Sequence, residues 1–367
     1  MTYTRNTALA ERHQALGAEL EDWNDMGMAW AYDQDVNDEH RAVRSAACLL
    51  DVSGLKKVHI LGPDALVVAD HLITRDMTKI PTGRSVYAII LNEEGGFTDD
   101  CIMFNLSPNH LMLVHGSGTA MEQLQKSAEG KDVHIQFDDD LHDISLQGPK
   151  SLEVLQNHTP MNLAGLQYFH QAPTILFGHN CLISRTGFSG ERGYEIFAKA
   201  EDVVPIWDAI LEHGRPAGVI PGSFNCIDAI RVEAALLFYP FDMDESNTPW
   251  EVGLGFAVSK KKQGDYRGKQ ACMDSIGKEN IKVCGIVANI DTAVDADAEL
   301  FHGDRKVGKV TAPNFSPVLN QSLALVQVDA ALAEPGTKVE VKGPNTSCSA
   351  TIHSLPFYDP NKGKREC

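Results

Sequence analysis

One plan occurs twice in this chain, as VHILGPDALVVADHL at 58–72 and HDISLQGPKSLEVLQ at 142–156. Each copy is an apolar strand, then Gly-Pro, then a helix with apolar residues at helical spacing. Proline fits the first helical turn because its missing N–H would have no partner there anyway. Gly-Pro therefore works as a strand-to-helix corner, and the two corners predict an internal structural repeat. The 367 residues suffice for two or three domains.

Between the two copies, SVYAIIL (85–91), CIMFNL (101–106) and HLMLVH (110–115) read as an antiparallel meander. Gly95-Gly96 supplies the first hairpin. Asp99 and Asp100 enter the second strand together, and alternation sends them to opposite faces. Either both cap the hairpin, or one is a semi-buried acid that handles a proton. Helices are expected over 5–22, over 37–48 with Asn37 as N-cap, over 118–130 and within 223–239. The polar KKKQGDYRGKQAC (260–272) reads as a linker. Beyond about 278 come short strands broken by glycine, the pattern of a small all-β barrel or sandwich. The boundary near 275 divides residues 1–275 from 276–367.

The net charge of −18 argues against nucleic acid or an anionic membrane as the main partner. No apolar run approaches the length of a membrane span, and MTYTRNTALAERHQALGAEL lacks a signal-peptide core, so a cytoplasmic protein is expected. Eight scattered cysteines without a CxxC pair read as reduced thiols. Fourteen histidines without HxH or HxxxH spacing give no sign of a metal centre.

Five segments in order carry a resemblance. DEHRAVRSAACLLDVS (38–53) is similar to EHxAVRxxAGLFDVS, and YAIILNEEGGFTDDCIMF (87–104) to YTxxLNxxGGxxDDLIVY. SLQGPKSLEVL, SRTGFSGERGYEIF and RVEAALLFYPFDMDESNTPWEVGLGFAV also have counterparts. These are motifs of the glycine cleavage system T-protein family, which this chain resembles over nearly its whole length. The family includes the dimethylsulfoniopropionate demethylase and the folate domains of dimethylglycine and sarcosine dehydrogenases. The resemblance implies an α+β, three-lobed ring around tetrahydrofolate, with a C-terminal all-β barrel.

It also implies a site. Asp99, first of the DD pair, matches the catalytic carboxylate, which can orient a folate nitrogen and accept its proton. Asp100 is then structural. Glu195 matches a glutamate that accepts two hydrogen bonds from the pterin edge. Tyr87, Leu55, Tyr239, His115 and Ser117 match positions lining the folate site, though Tyr87 and Tyr239 read equally as core. Lys260-Lys261-Lys262 reads as a solvated charge run, the other reading being a seat for a polyglutamate tail.

The chain departs from the T-protein pattern in two places. DVSHMG is replaced by DVSGLKK (51–57), and Ile227 stands where the family arginine binds folate or the lipoyl-borne donor. The demethylase lacks both features too. The expectation is a tetrahydrofolate-dependent demethylase, with a small methylated onium or amine donor held by Trp23, Trp30, Tyr32 and Trp250 as an aromatic cage. Core packing is the other reading of these rings. The alternatives are a true aminomethyltransferase, which needs a lipoyl carrier protein as partner, and a non-catalytic folate-binding protein.

Overall fold

The structure, a computed structural model, describes residues 3–366. Cys367 lies outside them. The chain opens with β1 (Arg5–Asn6), α1 (Ala10–Ala15), β2 (Leu20–Trp23) and β3 (Met26–Ala29). The helix expected over 5–22 is thus one short helix between strands. α1 ends where the Ala18 N–H turns back to the His13 carbonyl, and the chain then enters the β2–β3 hairpin. α2 (Val36–Ser45) is capped by Asp35, whose carboxylate accepts the Asn37 N–H at 2.9 Å. Asn37, the expected cap, lies inside the first turn, because the extended backbone that a cap requires belongs to Asp35.

Then come β4 (Cys48–Asp51), β5 (Lys56–Leu61), α3 (Ala65–Leu72), β6 (Arg84–Leu91), β7 (Phe97–Ser107), β8 (His110–His115), α4 (Ala120–Ser127) and β9 (His134–Phe137). The chain continues through β10 (Leu141–Gln147), α5 (Ser151–Leu155), β11 (Gln171–Leu176), β12 (His179–Ser184), β13 (Gly193–Lys199), α6 (Ala200–Gly214), β14 (Ile220–Gly222), α7 (Phe224–Glu233) and α8 (Lys269–Asp274). The two Gly-Pro corners are β5–α3 and β10–α5. One sheet has the order β11-β12-β13-β10-β4-β14, and the other β6-β7-β8-β5-β9. The chain leaves the first sheet after β4, builds the whole second sheet, and returns at β10, so the two α+β lobes are interleaved. Six strands close a barrel: β15 (Ile281–Ala288), β16 (Glu299–His302), β17 (Arg305–Ser316), β18 (Gln321–Asp329), β19 (Lys338–Lys342) and β20 (Ser347–His353).

Each sheet has one face under helices. Val86, Ala88, Ile90, Cys101 and Met103 pack with Val68, Leu72, Ala120 and Leu124 of α3 and α4. Ile144, Leu146, Tyr194 and Ile196 pack with Val154, Ile206 and Trp207 of α5 and α6. The other two faces meet each other. Phe104, Met112 and Val114 lie against Phe197, with the Phe104 and Phe197 rings edge to face at 5.4 Å. A buried phenylalanine contributes about 1.5–3 kcal/mol through lost apolar surface, so this contact helps hold the lobes together.

The segment 260–272 is not a loose linker, and although Lys260 and Lys261 are exposed, Lys262 is not. Lys262 is buried and donates to the carbonyls of Asp70, Ile73 and Arg75. The segment is thereby pinned to the α3 lobe, and it ends in α8.

Candidate active site

The space between the two facing sheets is the setting. Pairing puts Ile89 opposite Asp100, Tyr87 opposite Ile102, and Ile90 opposite Asp99. Directly opposed residues share a face. Asp100, Tyr87, Ile102 and Phe104 therefore look into the inter-sheet cleft. Asp99, Cys101 and Met103 look towards the helices.

The two aspartates occupy different environments. Asp99 is fully buried; its Oδ2 lies 2.9 Å from His115 Nδ1 and accepts the Ala120 N–H at the start of α4 at 3.3 Å. Its Oδ1 accepts the backbone N–H of Asp100 at 2.9 Å. Asp100 Oδ2 accepts the Tyr87 hydroxyl at 2.9 Å. Burial, and then the charge of Asp99, push the Asp100 carboxyl up to about 7, against the favourable Tyr87 hydrogen bond. Burial and Asp100 together push the Tyr87 hydroxyl well up. Facing thus puts Asp100, and not the expected Asp99, on the side of the facing sheets. His115 follows Asp99 onto the helix side, since it pairs with Cys101.

Glu195 lies opposite Ser145, two residues before Phe197, on the cleft-facing side of β13. It accepts the Thr186 hydroxyl. Burial raises its carboxyl to about 7 against that hydrogen bond. Leu55 packs at a corner, touching both the Phe104–Phe197 cluster and a second cluster that contains Leu50, Phe224 and Ile227. Tyr239 is buried where β6 meets the barrel. Its hydroxyl is pushed up to about 12 by burial, then by Asp99 and other acids that include Asp100. Ser117 is exposed and donates to Asn24 Oδ1 at 2.7 Å, tying the tip of the β2–β3 hairpin to the second lobe.

The four aromatics expected as a cage do not assemble. Trp23 and Trp30 both pack on Phe224, with ring centroids at 4.9 and 4.4 Å. Tyr32 is buried elsewhere, its hydroxyl 2.9 Å from His13 Nδ1. Trp250 donates to the Cys272 carbonyl at 2.7 Å, and Lys260 lies 4.9 Å over its ring. A ring already faced by one cation is a poor seat for another. Ile227 is buried on α7 among Leu50, Phe224, Cys226 and Ile230.

Tyr168 was missed in the sequence. Burial raises its hydroxyl, and Glu195 adds to the effect. The Arg365 guanidinium lies 5.6 Å over its ring. In the sequence Tyr168 shows only as a polar aromatic beside Phe169, and the turn there, with Phe169 at a φ of 60°, is seen only in the structure. Chemically, the cleft offers a carboxyl pushed up to about 7 and held by a phenol, a buried carboxylate that can accept paired N–H donors, and apolar walls. These residues fit a pterin. Among the described residues no group of His, Cys, Asp or Glu side chains is placed to hold a metal ion.

Comparison with known proteins agrees with this geometry. The GCVT N-terminal domain model matches residues 9–262, and the glycine cleavage T-protein C-terminal barrel domain model matches 282–359. The chain is 47% identical to the heme-dependent oxidative N-demethylase gamma subunit of Ectopseudomonas mendocina, over 98% of both chains. It is 36% identical to an aminomethyltransferase of Alkaliphilus metalliredigens, over 89% of this chain and 90% of that one. Its fold matches the glycine cleavage system aminomethyltransferase T from Bartonella henselae, with a TM-score of 0.88, 26% identity, and 96% and 98% of the two chains covered. The chain belongs to the glycine cleavage T-protein family, and it is an enzyme of one-carbon transfer.

Proposed function

We propose that this protein is a tetrahydrofolate-dependent transferase serving as one subunit of an oxidative N-demethylase. An oxidising partner converts the methyl group of an N-methyl amine to a carbon at the oxidation level of formaldehyde and frees the amine. This subunit moves that carbon onto tetrahydrofolate, giving 5,10-methylenetetrahydrofolate and water. Tetrahydrofolate supplies the nucleophilic nitrogens. Glu195 holds the pterin edge, Leu55 packs on the ring, and Asp100, oriented by Tyr87, accepts the proton lost when nitrogen bonds to carbon.

The observation that carries this reading is the hydrogen-bonded Asp100–Tyr87 pair, whose carboxyl is pushed up to about 7 and which faces the same cleft as Glu195. The relative named as an N-demethylase subunit favours an oxidised carbon from an amine. Direct methyl transfer from a sulfonium such as dimethylsulfoniopropionate has less support, because the rings expected to hold the cation lie apart. A lipoyl-borne donor has the support of the aminomethyltransferase relatives, but Ile227 offers no cation in place of the arginine.

The test is to purify the protein with whatever subunits it brings from its native source. The preparation is then supplied with tetrahydrofolate, oxygen and an N-methyl amine. In parallel reactions the donor is dimethylsulfoniopropionate or aminomethyl-lipoate. Methylenetetrahydrofolate formed from the amine faster than from free formaldehyde supports the proposal. Product from aminomethyl-lipoate alone makes the protein a T-protein, and 5-methyltetrahydrofolate from the sulfonium makes it a direct demethylase.

A further inference from the structure

A second acid faces the cleft, and no group of the protein hydrogen-bonds its carboxyl. Asp143 lies on β10 directly opposite Phe197, two residues from Ser145, which is opposite Glu195. It therefore shares the inward face with Glu195. Its side chain is fully buried, and neither carboxyl oxygen has a hydrogen-bond partner. Its backbone is well held: the N–H donates to Ser53 Oγ at 3.1 Å, and the carbonyl accepts the Val52 N–H at 3.0 Å. The nearby cation offsets its charge only in part. Lys57 is fully buried and donates to the carbonyls of Ser53 and Leu55 at 2.7 and 2.6 Å, with no ion pair to Asp143 among the described residues.

An ionised carboxylate in such a place would be very costly. Burial, and then the charge of Glu195, push Asp143 well above the ordinary carboxylate range against the pull of Lys57, and so favour the protonated carboxyl. A neutral carboxyl is a donor as well as an acceptor. Buried polar groups without partners are rare in folded proteins, and each needs a physical reason.

We infer that Asp143 is a second ligand-binding residue of the cleft, whose protonated carboxyl donates to the ring carbonyl of a 2-amino-4-oxo-pteridine beside the N–H edge accepted by Glu195. The inference rests on the folate reading above. The ring edge presents two N–H donors and then a carbonyl acceptor. A carboxylate and a neutral acid on one face of neighbouring strands match that order.

The experiment is isothermal titration of the full chain with tetrahydrofolate, for the wild type, Asp143→Asn and Asp143→Leu, with the melting temperature of each unliganded protein. Asp143→Leu is expected to bind roughly tenfold more weakly and to melt at or above the wild-type temperature, since it removes an unmet polar group. Asp143→Asn keeps a donor and should bind within a few-fold of wild type. The wild type should also prefer folic acid to its 4-amino-4-deoxy analogue, and Asp143→Leu should lose that preference. Equal tetrahydrofolate affinity in all three proteins, or an Asp143→Leu protein that melts lower or fails to fold, overturns the inference. A wild type that binds no pteridine removes the folate reading along with it. Binding indifferent to residue 143 removes this inference alone.

Discussion

The Tyr87 hydroxyl donates to Asp100 at 2.9 Å in the cleft, while Asp99, its neighbour in the chain, meets His115 at 2.9 Å on the other side of the sheet. The two acids should therefore fail differently. Asp100→Asn is expected to cut kcat/KM by about 10²–10³ with little change in melting temperature. Asp99→Asn removes a charge from the start of α4 and from His115, and should cost about 1–3 kcal/mol of stability. Steady-state rates and thermal melts of the two variants check this. The opposite pattern would return the acid role to Asp99.

Asp100 and Glu195 also set a pH dependence. Their folded values are each about 7, against ordinary values of 3.8 and 4.5. The folded state thus holds these protons more tightly than the unfolded chain. Their contribution to stability is complete below the ordinary values, declines as pH rises towards 7, and is flat above. The slope is at most about 1.4 kcal/mol per pH unit for each group. Denaturant unfolding from pH 4 to 8 should show the decline, and Asp100→Asn should flatten it. If Asp100 is the base, kcat/KM rises with pH about a midpoint near 7.

The repeat, the meander and the barrel were legible because each rests on local periodicity and turn chemistry. The facing of the DD pair was not. Alternation places Asp99 and Asp100 on opposite sides, but Cys101 and Met103 on one side are as apolar as Ile102 and Phe104 on the other. Only the packing of α3 and α4 decides which side is closed. Asp143 was invisible for a related reason: as the third residue of the strand Leu141–Gln147, it reads as a surface position until a second sheet covers it. The four rings do not form one cage because only Trp23 and Trp30 come together, on Phe224, while Tyr32 and Trp250 pack elsewhere.

Gly54, where the T-protein pattern has histidine, is covered by an indole. A Cβ at residue 54 would lie 2.3 Å from the Trp23 ring. Gly54→His should therefore cost about 1–3 kcal/mol through overpacking. Adding Trp23→Ala should recover part of that loss, and a double-mutant cycle on unfolding free energies measures the coupling. Purely additive costs would mean that the ring moves away freely.

Ile227 makes the same point about charge. Its neighbours Leu50, Phe224, Cys226 and Ile230 are apolar, and the next acid along the helix, Asp228, is already paired with Arg231 at 2.7 Å. Restoring the family arginine would place a guanidinium in a pocket built without a partner for it. Ile227→Arg is expected to lose on the order of 3 kcal/mol or more in denaturant unfolding and to gain no transfer from aminomethyl-lipoate. The combination discriminates between two histories of the site. If the variant is stable and gains the lipoyl reaction, the arginine pocket is still present and only its side chain is missing. If it is unstable and inert, the α7 face has been repacked as core, and the one-carbon unit reaches the cleft by another route.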